Sequence, residues 1–199
     1  KSVQAGSFIQ DCLNQQISVA SVNYPYSLDN THAQCYADAL TSINFFYNNL
    51  KKWNIDGNKI STAGPSAGAM LAQYTVIMDK RLCSSGSFLQ SVTTDTKLHP
   101  ILHKDCQPMY IFQTPPPEDK IHAPFYAKDL KAFCDKLGIV CELYGSVKND
   151  IEPKLPIDQD AHWTGKPTMI KFFQKTWLDR DPRNVDFKKA EKLMGEEKY

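Results

Sequence analysis

Ser66 stands in the run Gly64-Pro65-Ser66-Ala67-Gly68, with a glycine two residues before it and another two residues after. This G-x-S-x-G spacing is that of a nucleophile held at a sharp turn from strand to helix. The corner residue of such a turn adopts a strained backbone, and only small neighbours two positions away let the chain double back. At the corner the Ser66 hydroxyl is free to attack an electrophilic carbonyl. The N–H of Ala67, in the first turn of the following helix, is placed to face the developing oxyanion with the positive end of the helix dipole behind it. The competing reading is an ordinary turn in which Ser66 only caps the helix.

A nucleophile at a corner needs a strand before it and a helix after it. Lys59-Ile60-Ser61-Thr62 favours β-structure, and Ala69 to Asp79 favours helix. Upstream, Lys1 to Gln16 reads as the end of a helix. Ile17 to Tyr24 has apolar residues on both faces, as expected of a strand buried between two helix layers. His32 to Trp53 carries apolar residues at helical spacing, and Asp56-Gly57 marks a turn into the elbow strand. Downstream, strands are predicted at Ser85 to Val92, Pro108 to Gln113 and Val140 to Tyr144, with a helix from Phe125 to Leu137 stopped by Gly138 and a closing helix from Lys166 to Leu178. Strands separated by helices imply an α/β fold, a mostly parallel sheet with helices on both faces. One domain spanning 1–199 is expected, with its core in 17–178 and a charged tail in 179–199.

The balance of 23 basic and 22 acidic residues, net charge +1, gives no basic stripe for nucleic acid. No apolar run reaches transmembrane length and no repeat is present, so the expected partner is a small molecule or a peptide. Six cysteines (Cys12, Cys35, Cys83, Cys106, Cys134, Cys141) include no C-x-x-C pair and no histidine at zinc-ligand spacing, so no metal is expected. They fall in sequential couples where neighbouring elements meet. The expectation is three local disulfides, Cys12–Cys35, Cys83–Cys106 and Cys134–Cys141, in a secreted protein or another oxidising compartment, against buried free thiols in a reducing one. The chain starts at Lys1 without methionine or an apolar signal core, and any targeting segment is expected to have been removed or to lie upstream.

Taken together, VASVNYP, the helix after it and NIDGNKISTAGPSAG resemble the strand, crossover helix and elbow of the α/β-hydrolase superfamily, of the esterase and lipase kind. PMYIFQTPPPEDKIHAP followed by YAKDLKAFCDKLGIVCELY resembles that family's strand, acid loop and helix. The resemblance covers roughly Ile17 to Leu178. It implies a serine, acid, histidine order along the chain. Asp119, in the loop beyond PMYIFQ, matches the acid position, with Glu118 as its nearest competitor. Among His32, His99, His103, His122 and His162, only the last two follow the acid. His162, in DAHW between the fifth strand and the last helix, matches the position of the base. His122 is expected to sit too near Asp119 to face the serine as well.

The resemblance therefore implies a carboxylic ester hydrolase with Ser66, Asp119 and His162 as its triad, Ala67 as an oxyanion donor, an acyl-enzyme intermediate, and no metal or organic cofactor. A serine peptidase or amidase on the same fold is one alternative, and an inactive binding or structural subunit is another. Family members carry a strand and a glycine-rich HGG-type loop ahead of the region that begins here, and that loop provides the second oxyanion N–H. Another polypeptide segment is one way to complete the sheet. Losing one such donor costs on the order of a hundred- to a thousand-fold in rate.

Overall fold

Met109-Tyr110-Ile111-Phe112-Gln113 is buried at every position and forms the strand β3. Alternate residues of a strand face opposite sides, and both sides here are apolar. Met109 and Ile111 join a cluster with Ile43, Met70, Val76 and Leu130, while Tyr110 and Phe112 pack with Met169, Phe172 and Phe173. The strand is thus covered by helices on both faces.

The computed structural model describes residues 3–24, 32–90, 98–115, 118–145, 155–157 and 166–181. Helices α1 (Val3–Asn14) and α2 (His32–Trp53) precede strand β1 (Thr62–Pro65), helix α3 (Ala67–Met78) and strand β2 (Ser85–Phe88). After β3 come α4 (Pro124–Leu137), β4 (Cys141–Gly145) and α5 (Lys166–Arg180). The described strands form one parallel sheet in the order β1-β2-β3-β4. Helices α2, α3 and α4 contribute to one core cluster, and α1 and α5 to the other. In register, Pro65 pairs with Phe88, Phe88 with Phe112, and Phe112 with Tyr144. The carboxyl ends of all four strands therefore lie along one edge, where an open α/β sheet binds its ligands.

The helices lie close to their sequence expectations. Gly138 ends α4 in the left-handed conformation at φ 74°, a position that favours glycine. Three strand expectations need correction. The strand expected over Ser85 to Val92 ends at Phe88, since Leu89 turns to φ 58°. The elbow strand begins at Thr62 rather than Lys59, because the parallel ladder with β2 starts there: Thr62 N–H donates to Ser84 O at 3.1 Å. Residues 17–24 form no strand; Ser18 to Asn23 are exposed, and a cavity of about 970 Å³ lies between this segment and β1. A strand is stabilised by its ladder, and this segment forms no ladder with the described strands. Among the described strands β1 lies at the edge of the sheet, and it carries Pro65 at its end as edges tolerate.

The expected disulfides are also corrected. All six cysteines carry free thiols. Cys83 donates its S–H to Asn58 O at 2.9 Å instead of meeting Cys106, whose sulfur accepts the His103 N–H at 3.3 Å. Cys134 and Cys141 do meet, as a hydrogen-bonded thiol pair. That hydrogen bond and burial push Cys141 well above its usual value. Burial, with the charge of Asp11 adding to it, pushes the Cys12 thiol up to about 11. Among the described residues no helix is long and apolar enough to cross a membrane.

Candidate active site

Ser66 occupies the corner between β1 and α3 with φ 50° and ψ −116°. A non-glycine residue at positive φ costs of order 1–3 kcal/mol and persists only where its surroundings impose it. Here they do. The Ser66 N–H donates to Phe88 O at 2.8 Å, and the Ser66 carbonyl accepts from Ala69 N and Met70 N at 3.0 and 3.2 Å. Behind the corner, Thr62 Oγ1 donates to Ala72 O at 3.0 Å and ties the strand to the helix. A Cβ on Gly64 would sit 2.5 Å from the carbonyl carbon and oxygen of Gly68, so strand and helix cross with no room for a side chain. Gly68 is less crowded: a Cβ there would meet the Pro65 ring at 3.3 Å.

The capping alternative is excluded by where the hydroxyl goes. Ser66 makes no side-chain cap to α3. Its Oγ lies 2.8 Å from His122 Nε2, and His122 Nδ1 lies 2.6 Å from Asp119 Oδ2. Asp119 uses its other oxygen, Oδ1, to accept the backbone N–H groups of Ile121 at 3.0 Å and His122 at 3.1 Å. Burial acts against the Asp119 charge. The hydrogen bonds from His122 and the N–H of Ile121 outweigh it and hold the carboxyl below its usual range. An ionised Asp119 accepts the proton on Nδ1, which leaves the Nε2 lone pair facing the Ser66 hydroxyl. The imidazole and the carboxylate are largely enclosed, with side chains 15% and 21% exposed.

The expectation that His122 sits too near Asp119 to reach the serine is therefore corrected. Asp119 and His122 are three residues apart on a turn that Oδ1 closes, and that turn lets the ring lie between carboxylate and serine with one nitrogen on each. His162 lies outside the described residues. Glu118 is exposed. Ala67 is the first residue of α3, so its N–H has no intrahelical acceptor.

A polar cluster under the site was not anticipated. Gln113, at the end of β3, is fully buried. Its amide N–H₂ donates to Gln90 O at 3.0 Å and to His122 O, while its Oε1 accepts the Gln90 N–H. Gln90 and Gln73 exchange two side-chain hydrogen bonds of 2.9 Å, and Gln73 also donates to Ser87 Oγ at 3.1 Å. The available signal was the glutamine closing the otherwise apolar run MYIFQ. Among the described residues no three His, Cys, Asp or Glu side chains gather as metal ligands.

Compared with known proteins, the family model BD-FAE matches residues 1–112. The chain belongs to the BD-FAE family. This is an esterase family of the α/β-hydrolase superfamily, and its member here is a carboxylic ester hydrolase. The matched span contains the Ser66 elbow and ends before Asp119 and His122. Solved structures of similar fold include a lipase/esterase from Lactobacillus plantarum, at 12% identity, TM-score 0.69, covering 88% of this chain and 80% of that one. Thermogutta terrifontis esterase 2 is similar at 18% identity, TM-score 0.64, with 85% and 76% covered. An acetyl ester-xyloside bifunctional hydrolase from Caldicellulosiruptor lactoaceticus is similar at 17% identity, TM-score 0.59, with 77% and 69% covered. These likenesses are of fold. No curated protein sequence matches the chain.

Proposed function

We propose that this BD-FAE member cleaves carboxylic esters through an acyl-enzyme on Ser66, with His122 as general base and Asp119 as its orienting carboxylate. The observation that carries the reading is the continuous hydrogen-bond line from a strained elbow serine through one imidazole to one carboxylate. His122 Nε2 takes the Ser66 proton as Oγ bonds to the acyl carbon, and the carbonyl oxygen becomes an oxyanion beside the Ala67 N–H. Collapse of that adduct breaks the ester bond, and the imidazolium returns its proton to the departing alkoxide. Water then loses a proton to His122, attacks the acyl-enzyme, and releases the carboxylic acid as Ser66 is reprotonated.

The alternative for the same base role is His162, supported by its place in the chain between β4 and α5. A second oxyanion donor is proposed to come from a further polypeptide segment along the open edge of β1, where the apolar cavity lies. The same residues attack amides by the same steps, so a peptidase or amidase remains the neighbouring activity. An inactive binding subunit is the reading that a reactive serine overturns.

The test is labelling of the purified protein with a fluorophosphonate, which reacts preferentially with an activated serine. One of the fold neighbours is an esterase phosphoramylated by tabun, and this proposal expects the same class of reaction at Ser66. Modification should map to Ser66 and vanish in Ser66→Ala, and a panel of short esters should be turned over ahead of matched amides. An unlabelled wild-type protein would sink the proposal.

A further inference from the structure

We infer that Gln113 is a positioning residue, one that sets the catalytic imidazole in place by holding the backbone of the loop that carries it. The inference rests on the proposed role of His122 and adds a residue that the triad does not contain. Gln113 ends β3, and the chain leaves it as Thr114 to enter the loop that bears Asp119 and His122. Its side chain then turns back onto the far end of the same loop and donates to the His122 carbonyl, with Ala123 O at 3.5 Å beside it. One residue thus anchors both ends of the acid loop.

The carboxamide is suited to this by its chemistry. Two N–H groups and one oxygen are available. One N–H goes to Gln90 O, the other to His122 O, and the oxygen receives Gln90 N–H. Gripping Gln90 by both its N–H and its carbonyl fixes the amide plane, so the second N–H has a defined direction. Gln90 in turn is locked by the reciprocal amide pair to Gln73, which lies on the elbow helix two turns beyond Ser66. Nucleophile helix and base loop are therefore joined through buried polar groups. No water needs to enter, since Gln73, Gln90 and Gln113 are all at most 1% exposed.

The ring of His122 already has partners on both nitrogens, but those bonds do not stop its backbone from sliding. Asp119 moves with it, because the Asp119 carboxylate is bonded to the same turn. Only a contact from outside the turn fixes the pair relative to Ser66, and Gln113 makes that contact from the sheet. A displacement of about 1 Å between reacting groups costs on the order of a hundredfold in rate.

The experiment measures fluorophosphonate labelling rate and ester kcat and KM in Gln113→Met, His122→Ala and the double variant, with melting temperature recorded for each. Gln113→Met should lower kcat and labelling by about ten- to a hundredfold well below its melting temperature, with KM within about twofold. In the His122→Ala background the same change should cost nothing further, since Gln113 acts through His122. Gln113→Leu also removes the donor to His122 O with a side chain of similar volume and no buried charge, so it should show the same kcat loss if the methionine variant does not fold. Wild-type rates in a folded Gln113 variant, or a loss that multiplies fully with His122→Ala, would overturn the inference. If His122→Ala itself leaves labelling intact, the role of His122 fails first and the positioning role falls with it.

Discussion

Ser66 Oγ and His122 Nε2 are 2.8 Å apart while the same imidazole holds Asp119 at 2.6 Å. Three groups drawn from two segments far apart in the chain thus share one line of hydrogen bonds. Groups that act as one unit are grossly non-additive when removed. His122→Ala should therefore cost nearly as much ester hydrolysis as Ser66→Ala, at least about a thousandfold, and the double variant little more. His162→Ala is the matched comparison. A larger loss there than in His122→Ala would move the base to the DAHW stretch.

Ser66 stores backbone strain at the position proposed for the nucleophile, so stability and activity should separate there. Ser66→Gly places at φ 50° the one residue for which that angle carries no steric penalty. The variant should be inactive yet more stable than the wild type by about 1 kcal/mol, as measured by urea unfolding. A variant less stable than Ser66→Ala would show that the corner is held without strain.

The elbow was legible because its signal is local: two glycines and a serine at fixed spacing, a strand before and a helix after. Helix α2 was legible for a similar reason, since its apolar spacing alone defines His32–Trp53. Ile17 to Tyr24 has the sequence of a strand without forming one, because a β-favouring run becomes a strand only when a neighbour offers a ladder, and that is a tertiary fact. Closeness in sequence argues against His122 as the base, yet an Asp-x-x-His spacing on a turn is what brings carboxylate and imidazole together. The glutamine that closes MYIFQ stands out in the sequence, but what Gln113 holds is not legible there, because its bonds go to three backbone groups from other parts of the chain.

The cysteines give a prediction with a count attached. Each thiol in the structure is free, and Cys12, Cys83, Cys106, Cys134 and Cys141 are buried, with Cys35 partly exposed. Burial raises the Cys12 and Cys83 thiols and removes the thiolate that alkylating agents need. Native protein should therefore alkylate first at Cys35, and protein denatured without reductant should take up label at all six. Recovery of a Cys134–Cys141 disulfide peptide would instead point to an oxidising compartment, since that pair already has its two sulfurs in contact.

Arg81 and Asp79 close the far end of the elbow helix, and their pairing has a pH signature. Arg81 Nε donates to Asp79 Oδ1 at 2.9 Å and Nη2 to Oδ2 at 2.6 Å, while Nη2 also reaches Asn44 Oδ1 of α2 at 2.6 Å. The guanidinium carbon lies 4.2 Å from the Tyr47 ring centre. The Arg81 side-chain hydrogen bond, opposed by burial, holds Asp79 below the usual carboxylate value. A carboxyl depressed in the folded state contributes stability above its unfolded value of about 3.9, and that contribution is lost as pH falls through the folded value. Arg81 is half exposed, so screening limits the pair to about 1 kcal/mol. Arg81→Met should accordingly lower unfolding free energy by about 1 kcal/mol at pH 7, and the gap to wild type should narrow as the pH is taken below the carboxylate range. Urea unfolding of both proteins at pH 7 and about pH 3 decides it. A gap that stays constant would assign the whole effect to the Tyr47 and Asn44 contacts, which do not titrate in that range.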